Sequence, residues 1–388
     1  MIDFELSEEQ REIQALAREF VAKEIKPIAL ERDQQRVNRE TFQWGLVDKL
    51  DKIGFRAMTL AEKYGGTGVG VLTVAIVLEE LAAGDLGVAF IVEQTNKFVQ
   101  MLQWLGTEEQ CRRYLIPLRD NSRFLFAAAA TEADFGSDYF MPHADMRVTT
   151  TATPDGDEWV INGNKQWSLG SAFASLFFVI ARTREGLGRF LVAGDTPGVK
   201  VGHIHDSMAG RIYPRAEILF DNVRVPRGNK VESPAATQAP GHRSKLSGLI
   251  YATADNVGVA RAAYEEALDF AKVRVQGGKP IIEHQAVGMM LADMFAQIEA
   301  ARLLCWKAAW AADHSEYSDP KVAAMAKVFT ADVAVKVARK AFEIHGGYGP
   351  TKEFAVEKHL REAAYLLPSS GTQQIHTLRT AKFLEQGL

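Results

Sequence analysis

Apolar residues in the last third of the chain recur at every third or fourth position. Three stripes show this spacing: Val257, Ala260, Tyr264, Leu268 and Ala271; Met294, Ile298, Ala301, Cys305 and Ala308; Val322, Met325, Phe329, Val333 and Val337. Residues three and four apart lie on one face of a helix, so each stripe predicts a helix with one buried face. We therefore expect these helices to pack as a bundle with the stripes in its core.

The first part of the chain is also helical in pattern, with glycine and proline as interruptions. Ser7 stands three residues before Gln10 at the head of a helical stretch, which predicts a capping box. The glycine run at 65–70 follows no predicted strand, and Val71 stands where a third glycine of GxGxxG would fall. This run therefore argues against a dinucleotide-binding loop. A further helical stretch covers about residues 71–118.

From about residue 122 to residue 226 the pattern changes to short β-prone runs separated by turn residues. The runs are LFAAAA, RVTTTA, EWVIN, FFVIAR, RFLVAG, VKVGHI and AEILF. They predict a compact β-domain. A poorly patterned linker at 231–243 follows it and precedes the last helices. We expect domains at residues 1–121 (helical), 122–234 (β) and 235–388 (helical bundle).

Composition excludes several classes of function. A formal net charge of -4 over 388 residues gives no broad basic face for nucleic acid. Cys111 and Cys305 lie far apart, so we expect two reduced, partly buried thiols, with no disulfide framework and no CxxC metal site. No apolar run approaches the roughly 20 residues that span a bilayer. We expect a cytoplasmic protein that contacts no membrane and binds no metal.

Five short motifs support a resemblance that covers nearly the whole chain. They are TEADFGSD (131–138), NGNKQWSLG (162–170), FDNVRVP (220–226), HGGYG (345–349) and GTQQI (371–375). In order and spacing they resemble the acyl-CoA dehydrogenase family. The resemblance implies an α+β multi-domain fold with an N-terminal helical domain, a central β-barrel-like domain and a C-terminal four-helix bundle. It also implies an FAD cofactor between the helices and the β-domain.

The resemblance places the flavin ring against the β-domain. Thr131 ends a small-residue strand, and its hydroxyl and nearby N–H groups would meet the pyrimidine end, where reduction places negative charge. Trp167 would pack its indole on the flavin, the alternative being a buried core tryptophan. Gly136 and Ser137 would let the backbone approach a pyrophosphate or pantetheine closely. The other flavin positions in these motifs are Ala128, Ala130, Ser168 and Leu169.

A second set of residues matches family positions near the FAD of a neighbouring subunit or near the adenosine half. Arg274 would pair its guanidinium with the pyrophosphate, the alternative being a solvated charge at a helix end. Gly346 and Gly347 would permit close passage of the adenosine half. The remaining positions implied by the resemblance are Gln276, Gln285, Glu343, Thr372 and Gln374.

The glutamate that serves the family as catalytic base is missing from both of its usual positions. Ser370 stands just before GTQQI, where most members have the glutamate, and Gly248 stands at the position that some relatives use instead. Glu93, which aligns with the wall of the acyl pocket, is our candidate replacement. Its alternatives are a polar pocket wall or a salt-bridged surface residue. Weaker candidates for the base are Tyr251 and Asp255.

These residues lead to three hypotheses of function. The first is FAD-dependent α,β-dehydrogenation of an acyl-CoA or similar thioester, with the Ser370 N–H and a ribityl hydroxyl holding the thioester oxygen. The second is other chemistry on the same fold, such as elimination or carbon-acid oxidation. The third is a flavin-binding subunit that works only with a catalytic paralogue. The resemblance implies electron-transfer flavoprotein or another acceptor as partner, and we expect a homotetramer or a heterotetramer with a paralogue.

Overall fold

Helices form both ends of the chain and a curled β-sheet forms its centre. The computed structural model describes residues 5–143, 146–232, 243–317 and 319–387. The predicted α+β fold, with N-terminal helices, a central sheet domain and a C-terminal bundle, is confirmed. The linker predicted at 231–243 and the boundary between residues 234 and 235 fall largely outside the described residues. The domain boundaries therefore stay predictions.

The N-terminal helices begin at side chains that cap them. Their bounds are α1 Glu8–Phe20, α2 Lys26–Gln34, α3 Trp44–Lys52, α4 Val71–Gly84, α5 Leu86–Leu105 and α6 Glu108–Asp120. The predicted capping box of α1 is confirmed, because Gln10 N–H donates to Ser7 Oγ at 3.1 Å and Ser7 N–H donates to Gln10 Oε1 at 3.0 Å. Asp85 separates α4 from α5, and its carboxylate accepts from the Gly87 N–H at 2.8 Å. This cap fixes the start of α5.

All seven predicted β-runs contribute strands to a seven-stranded sheet. The strands are β1 Phe126–Ala129, β2 Thr151–Asp155, β3 Glu158–Leu169, β4 Leu176–Thr183, β5 Gly186–Ala193, β6 Val199–Ile204 and β7 Arg215–Pro226. Their order is β1-β4-β2-β3-β7-β6, and β5 pairs with β4. The long strands β3 and β7 run antiparallel, and their register shifts between Lys165 and Ser168. This irregularity lies inside the NGNKQWSLG motif.

The C-terminal region is a bundle of long helices. They are α7 Arg243–Val273, α8 Gln285–Asp313, α9 Pro320–His345, α10 Val356–Leu366 and α11 Gln373–Glu385, with a hairpin of β8 Val275–Gln276 and β9 Lys279–Pro280 between α7 and α8. The second predicted stripe, from Met294 to Ala308, is buried throughout. In the first stripe, Tyr264 and Leu268 are half-buried at its edge. Cys111 and Cys305 are buried free thiols.

The structure confirms only part of the third predicted stripe. Val333 and Val337 are buried, but Phe329 is 37% exposed. The buried face of α9 is made instead by small residues such as Ala323, Ala326 and Thr330. Small side chains let α9 approach α7 closely, so the larger apolar residues turn outward. The spacing of apolar residues predicted a helix with an apolar face, but it did not show which side of that face points to the core.

Candidate active site

The Thr131 segment is fastened to β3. The Thr131 hydroxyl donates to the Gln166 carbonyl oxygen at 2.6 Å, and Gln166 N–H donates to the Thr131 carbonyl oxygen at 2.9 Å. Lys165 Nζ donates to the Ala130 carbonyl oxygen at 3.0 Å. The hydroxyl hydrogen of Thr131 is therefore used within the chain. Its backbone N–H and hydroxyl lone pairs are the groups available to a ligand.

Trp167 lies at the register shift of β3 and presents its indole to solvent. Its φ is 59°, a left-handed conformation that costs a non-glycine residue roughly 1–2 kcal/mol. The side chain is 48% exposed, which excludes the alternative of a buried core tryptophan. Backbone strain of this kind concentrates at functional sites. The structure thus holds a flat aromatic surface outward at the predicted position.

Polar side chains lie beside Trp167, and one of them has no hydrogen-bond partner within the described residues. Ser168 is 4% exposed, and its hydroxyl makes no hydrogen bond within the described residues. A buried hydroxyl without a partner costs about 1–3 kcal/mol. On the other side, His205 Nε2 and Gln166 Oε1 lie 3.1 Å apart, and burial together with His203 and Arg215 lowers the pKa of His205. A flat ligand with a polar edge fits this surface.

Two glycine motifs contain backbone that no other atom of the described chain crowds. An added Cβ at Gly136, Gly346 or Gly347 would meet no atom of the described chain within 4 Å. Ser137 Oγ accepts from the Thr372 N–H at 3.2 Å, and Thr372 caps α11. This bond joins the β-domain to the C-terminal helices. Room for close approach by a ligand exists on both sides of that joint.

Ser370 is held by its backbone. Its φ is 56°, and its carbonyl oxygen accepts from His376 Nε2–H at 2.8 Å. Arg379 Nη1 donates to His376 Nδ1 at 3.2 Å, which fixes the tautomer of the ring. Burial, opposed by the bond to Ser370, lowers the pKa of His376 to about 4. The imidazole is therefore neutral at pH 7, and Gly371 has no space for a side chain beside it.

Helices α5 and α7 bring Lys97, the ion-pair partner of Glu93, next to Gly248. Glu93 is 2% exposed, and its Oε1 lies 3.4 Å from Lys97 Nζ. The surface alternative for Glu93 is therefore wrong, because it is a buried, ion-paired residue. A Cβ at Gly248 would lie 2.5 Å from Lys97 Cδ. The stem of Lys97 thus fills the space beside Gly248.

The same faces of α5 and α7 contain two further polar side chains. The Tyr251 hydroxyl donates to Gln100 Oε1 at 2.7 Å. Asp255 is fully buried, and neither carboxyl oxygen makes a hydrogen bond within the described residues. Burial, with the nearby charge of Glu93, raises the pKa of Asp255 well above its usual range. This environment favours the neutral form of Asp255.

Sequence reasoning missed Arg215, the first residue of β7. It is 8% exposed, and its guanidinium lies over the Tyr365 ring at 4.3 Å from the centroid. Its register partner is Leu169 at the end of β3. The available signal was a charge heading the apolar run AEILF. We call Glu93, Lys97, Arg215 and Asp255 the pocket cluster.

The residues predicted to reach a neighbouring subunit lie at exposed helix ends. Arg274 follows α7 and its guanidinium lies 5.3 Å from the Tyr348 ring centroid. Gln276 Nε2 donates to the Val275 carbonyl oxygen at 2.8 Å, so this side chain is folded back on its own hairpin. Three more of these positions are exposed: Gln285, Glu343 (ion-paired with Arg339) and Gln374. Their roles stay predictions.

The described part of the chain lacks two features: a metal-binding cluster of side chains and a helix that could span a membrane. No group of three or more His, Cys, Asp and Glu side chains there is arranged to hold a metal ion. No helix in the same residues combines the length and apolar character needed to cross a membrane.

Three family models match consecutive parts of the chain. They describe the N-terminal, middle and C-terminal domains of acyl-CoA dehydrogenase and match residues 7–122, 127–223 and 250–385. A probable acyl-CoA dehydrogenase of Bacillus subtilis is 34% identical, and the match covers 99% of this chain and 100% of the relative. The similarity therefore extends over all three regions of the fold.

Two solved structures are also similar to this chain over nearly its whole length. Butyryl-CoA dehydrogenase from Megasphaera elsdenii has a TM-score of 0.89 and 32% identity, over 99% of this chain and 100% of its own. A glutaryl-CoA dehydrogenase from Mycobacterium smegmatis in complex with FADH2 has a TM-score of 0.87 and 27% identity, over 98% and 95%. The second structure is a reduced-flavin complex of this same architecture.

Proposed function

The chain belongs to the acyl-CoA dehydrogenase family, and we propose that it is an FAD-dependent oxidoreductase that dehydrogenates the α,β bond of an acyl-CoA or similar thioester. The observation that carries the proposal is the surface formed by exposed Trp167 and the unpartnered buried hydroxyl of Ser168. When bound, FAD supplies the acceptor for the hydride that leaves the β-carbon.

The chain's own residues would bind and orient the cofactor. Trp167 packs against one face of the ring and excludes water from it. Ser168 Oγ and the Thr131 N–H hydrogen-bond its polar edge, and Gly136 with Ser137 face the pyrophosphate or pantetheine. The remaining proposed cofactor contacts are Ala128, Ala130, Leu169, Arg274, Gln276, Gln285, Glu343, Gly346, Gly347, Thr372 and Gln374.

At the substrate end, Glu93 would accept the α-proton and the Ser370 N–H would hold the thioester oxygen. Glu93 is buried in the helix face that meets Gly248, where some relatives carry the base. The His376 bond fixes the Ser370 backbone, so its N–H keeps one direction whatever side chain the position carries. A serine side chain by itself supplies no base, which is why the proton acceptor is sought on α5.

Substitution of Glu93 tests the assignment of the base. General-base catalysis contributes roughly 100- to 10,000-fold, so Glu93→Gln should slow flavin reduction by about that factor while FAD remains bound. Anaerobic stopped-flow absorbance with a panel of acyl-CoAs measures the rate. Glu109→Gln, the same change at an exposed glutamate, is the matched control. Reduction of Glu93→Gln at the wild-type rate would show that Glu93 is only a wall residue.

Restoring the usual base provides the complementary experiment. Ser370→Glu should raise or create activity toward simple acyl-CoAs if the native base is weak or absent. A wild type that is unreactive and becomes active only as Ser370→Glu would contradict the Glu93 assignment. Failure of purified protein to take up FAD under any reconstitution would contradict the cofactor.

We also propose a homotetramer, or a heterotetramer with a paralogue, and transfer of electrons to an electron-transfer flavoprotein or another acceptor. Large apolar side chains on α8 are exposed in the single chain: Met289 at 73%, Phe295 at 52%, Leu303 at 45% and Trp310 at 42%. Exposed apolar surface of this extent is typical of an interface. Light scattering of the FAD-loaded protein tests it, and a stable loaded monomer would refute it.

A further inference from the structure

Arg215 places a buried positive charge where the β-domain meets the helices. The residue begins β7, pairs in register with Leu169, and is 8% exposed. Its guanidinium lies over the ring of Tyr365, which belongs to α10. The Phe90 ring of α5 lies 5.8 Å from the Tyr365 ring, centroid to centroid. The guanidinium therefore lies on an aromatic ring of α10 that itself packs against α5.

The hydrogen-bonding state of the guanidinium is unusual. Arg215 Nε and Nη2 make no hydrogen bond within the part of the chain that the structure describes. These two nitrogens form one edge of the guanidinium, whose parallel N–H bonds match the two oxygens of a carboxylate. By contrast, fully buried Arg56 donates through Nε to Asp51 at 2.6 Å and through Nη1 to a backbone carbonyl. The Arg215 side chain interacts with the Tyr365 hydroxyl, but its Nε and Nη2 edge has no acceptor within the described residues.

The other charges of the pocket cluster provide no partner for the open edge of Arg215. Lys97 is paired with Glu93 at 3.4 Å, so these two charges offset each other. Burial and the Glu93 charge raise the pKa of Asp255, which favours its neutral form. Arg215 is therefore the member of the pocket cluster whose charge lacks a carboxylate at its Nε and Nη2 edge. A buried unbalanced charge is costly, and an incoming anion removes that cost.

Arg215 lies on the substrate side of the proposed site. Tyr365, which the guanidinium covers, packs 5.8 Å from Phe90, and Phe90 precedes Glu93 by three residues on the same face of α5. Tyr365 also precedes Ser370 by five residues on the segment proposed to hold the thioester oxygen. An acyl chain bound beside Glu93 would therefore lie near Arg215.

We propose that Arg215 binds a carboxylate carried by the acyl group, so that the preferred substrate is the CoA thioester of a dicarboxylic acid. The inference rests on the proposed function, because it names the acyl group on which that site acts. The carboxylate would accept two parallel hydrogen bonds, from Nε and Nη2. A neutral acyl chain would leave both donors unpaired.

Matched pairs of thioesters test the proposal with FAD-loaded protein. The pairs are butyryl-CoA with succinyl-CoA and hexanoyl-CoA with adipoyl-CoA, and perturbation of the flavin absorbance reports each dissociation constant. A charge-assisted, bidentate pair is worth about 1.5–3 kcal/mol, so one carboxylated member should bind about 10- to 100-fold more tightly than its neutral match. Arg215→Gln should weaken binding of the carboxylated member by at least this factor relative to binding of the neutral member.

Two further variants separate the explanations. Arg224→Gln, an exposed arginine on the same strand, should keep the wild-type preference. Arg215→Lys keeps the positive charge but lacks the two parallel N–H donors, so its preference for carboxylated thioesters should lie between those of the wild type and Arg215→Gln. This variant also replaces Arg215→Gln in the test if the glutamine variant does not fold. Wild type that binds and oxidises neutral thioesters with no preference for their carboxylated matches would overturn this inference alone. Wild type that binds no thioester would overturn the proposed function as well, and loss of FAD from Arg215→Lys would assign Arg215 to the cofactor instead.

Discussion

The pocket cluster and a second buried cluster show how the same kinds of charge serve different purposes. In the helix cluster, formed by Asp85, Lys358, His359 and Glu362, Lys358 Nζ lies 3.0 Å from Asp85 Oδ2 and 2.6 Å from Glu362 Oε1. His359 Nδ1 lies 3.4 Å from the other Glu362 oxygen. Each of these four side chains therefore has a polar partner within the chain.

Three members of the pocket cluster, Glu93, Asp255 and Arg215, are also buried, but the cluster is incompletely partnered. Both oxygens of Asp255 and one edge of Arg215 lack hydrogen bonds within the described residues. Buried charges that the chain satisfies fully stabilise one arrangement of helices. Buried groups left without partners point to a ligand that completes them. Burial alone therefore does not identify a functional charge, whereas the state of its hydrogen bonds does.

The largest effect is expected from breaking the helix cluster. Lys358→Met leaves Asp85 and Glu362 buried without their lysine, which should lower the free energy of unfolding by about 3–5 kcal/mol. Urea unfolding of the FAD-loaded protein measures the change. Lys352→Met, at an exposed lysine before α10, is the control and should have little effect. A loss for Lys358→Met no larger than that of the control would show that this cluster is not structural.

A smaller, pH-dependent effect is expected at the sheet. Glu132 accepts from Lys165 Nζ at 2.8 Å and from the Thr149 N–H at 2.7 Å, and although burial opposes ionisation these bonds lower the pKa of Glu132 to about 2. Glu132→Gln should cost about 1–3 kcal/mol at pH 7.

The sign of this pH dependence follows from the lowered pKa. The stabilisation by ionised Glu132 is complete above the unfolded pKa of about 4.3 and is lost as the pH falls toward 2. The difference between wild type and Glu132→Gln should therefore shrink over that range in urea unfolding. Glu185→Gln, at an exposed glutamate, is the control. A difference that stays constant with pH would contradict the role of the ionised form.

The smallest effect is expected from Asp255→Asn near pH 4, because the carboxyl oxygens are unpartnered in the folded chain and the raised pKa of Asp255 favours its neutral form. The variant should lie within about 1 kcal/mol of wild type there. Above the unfolded pKa of about 3.9, the unfolded chain releases the proton more readily than the folded chain does, so wild-type stability falls as the pH rises. Asp255→Asn lacks this pH-dependent loss and should gain stability relative to wild type as the pH rises above about 4.

Thermal unfolding across that pH range measures the difference. Asp269→Asn, on the same helix with its side chain 78% exposed, is the matched control. An Asp255→Asn variant that is as unstable as Lys358→Met would place Asp255 among the structural charges and erase the contrast between the two clusters.

Local patterns predicted the parts of the molecule that depend on neighbours in sequence. The capping pair Ser7 and Gln10, the seven β-runs and the buried Met294 stripe all rest on spacing within a few residues. Phe329 was misjudged because its direction depends on how closely α9 packs on α7. That distance is set by the alanines of two helices that are far apart in sequence.

The candidate site was harder to predict for the same reason. Trp167, Ser370 and Glu93 were named from the family resemblance, and their roles stay proposals. Arg215 was missed because its burial depends on the pairing of β7 with β3 and on the position of Tyr365. A charge that heads a strand is an ordinary surface feature unless long-range packing covers it. The residue pattern within β7 does not show that other elements bury Arg215.

The backbone bond from His376 to Ser370 has an evolutionary consequence. The imidazole holds the carbonyl oxygen of residue 370 and does not depend on the side chain there. The residue already occupies a left-handed conformation as a non-glycine, so an exchange of side chain adds little new strain. A lineage can therefore lose or regain a proton acceptor at this position by a single substitution while the loop keeps its shape. Reactivity and scaffold can diverge independently here.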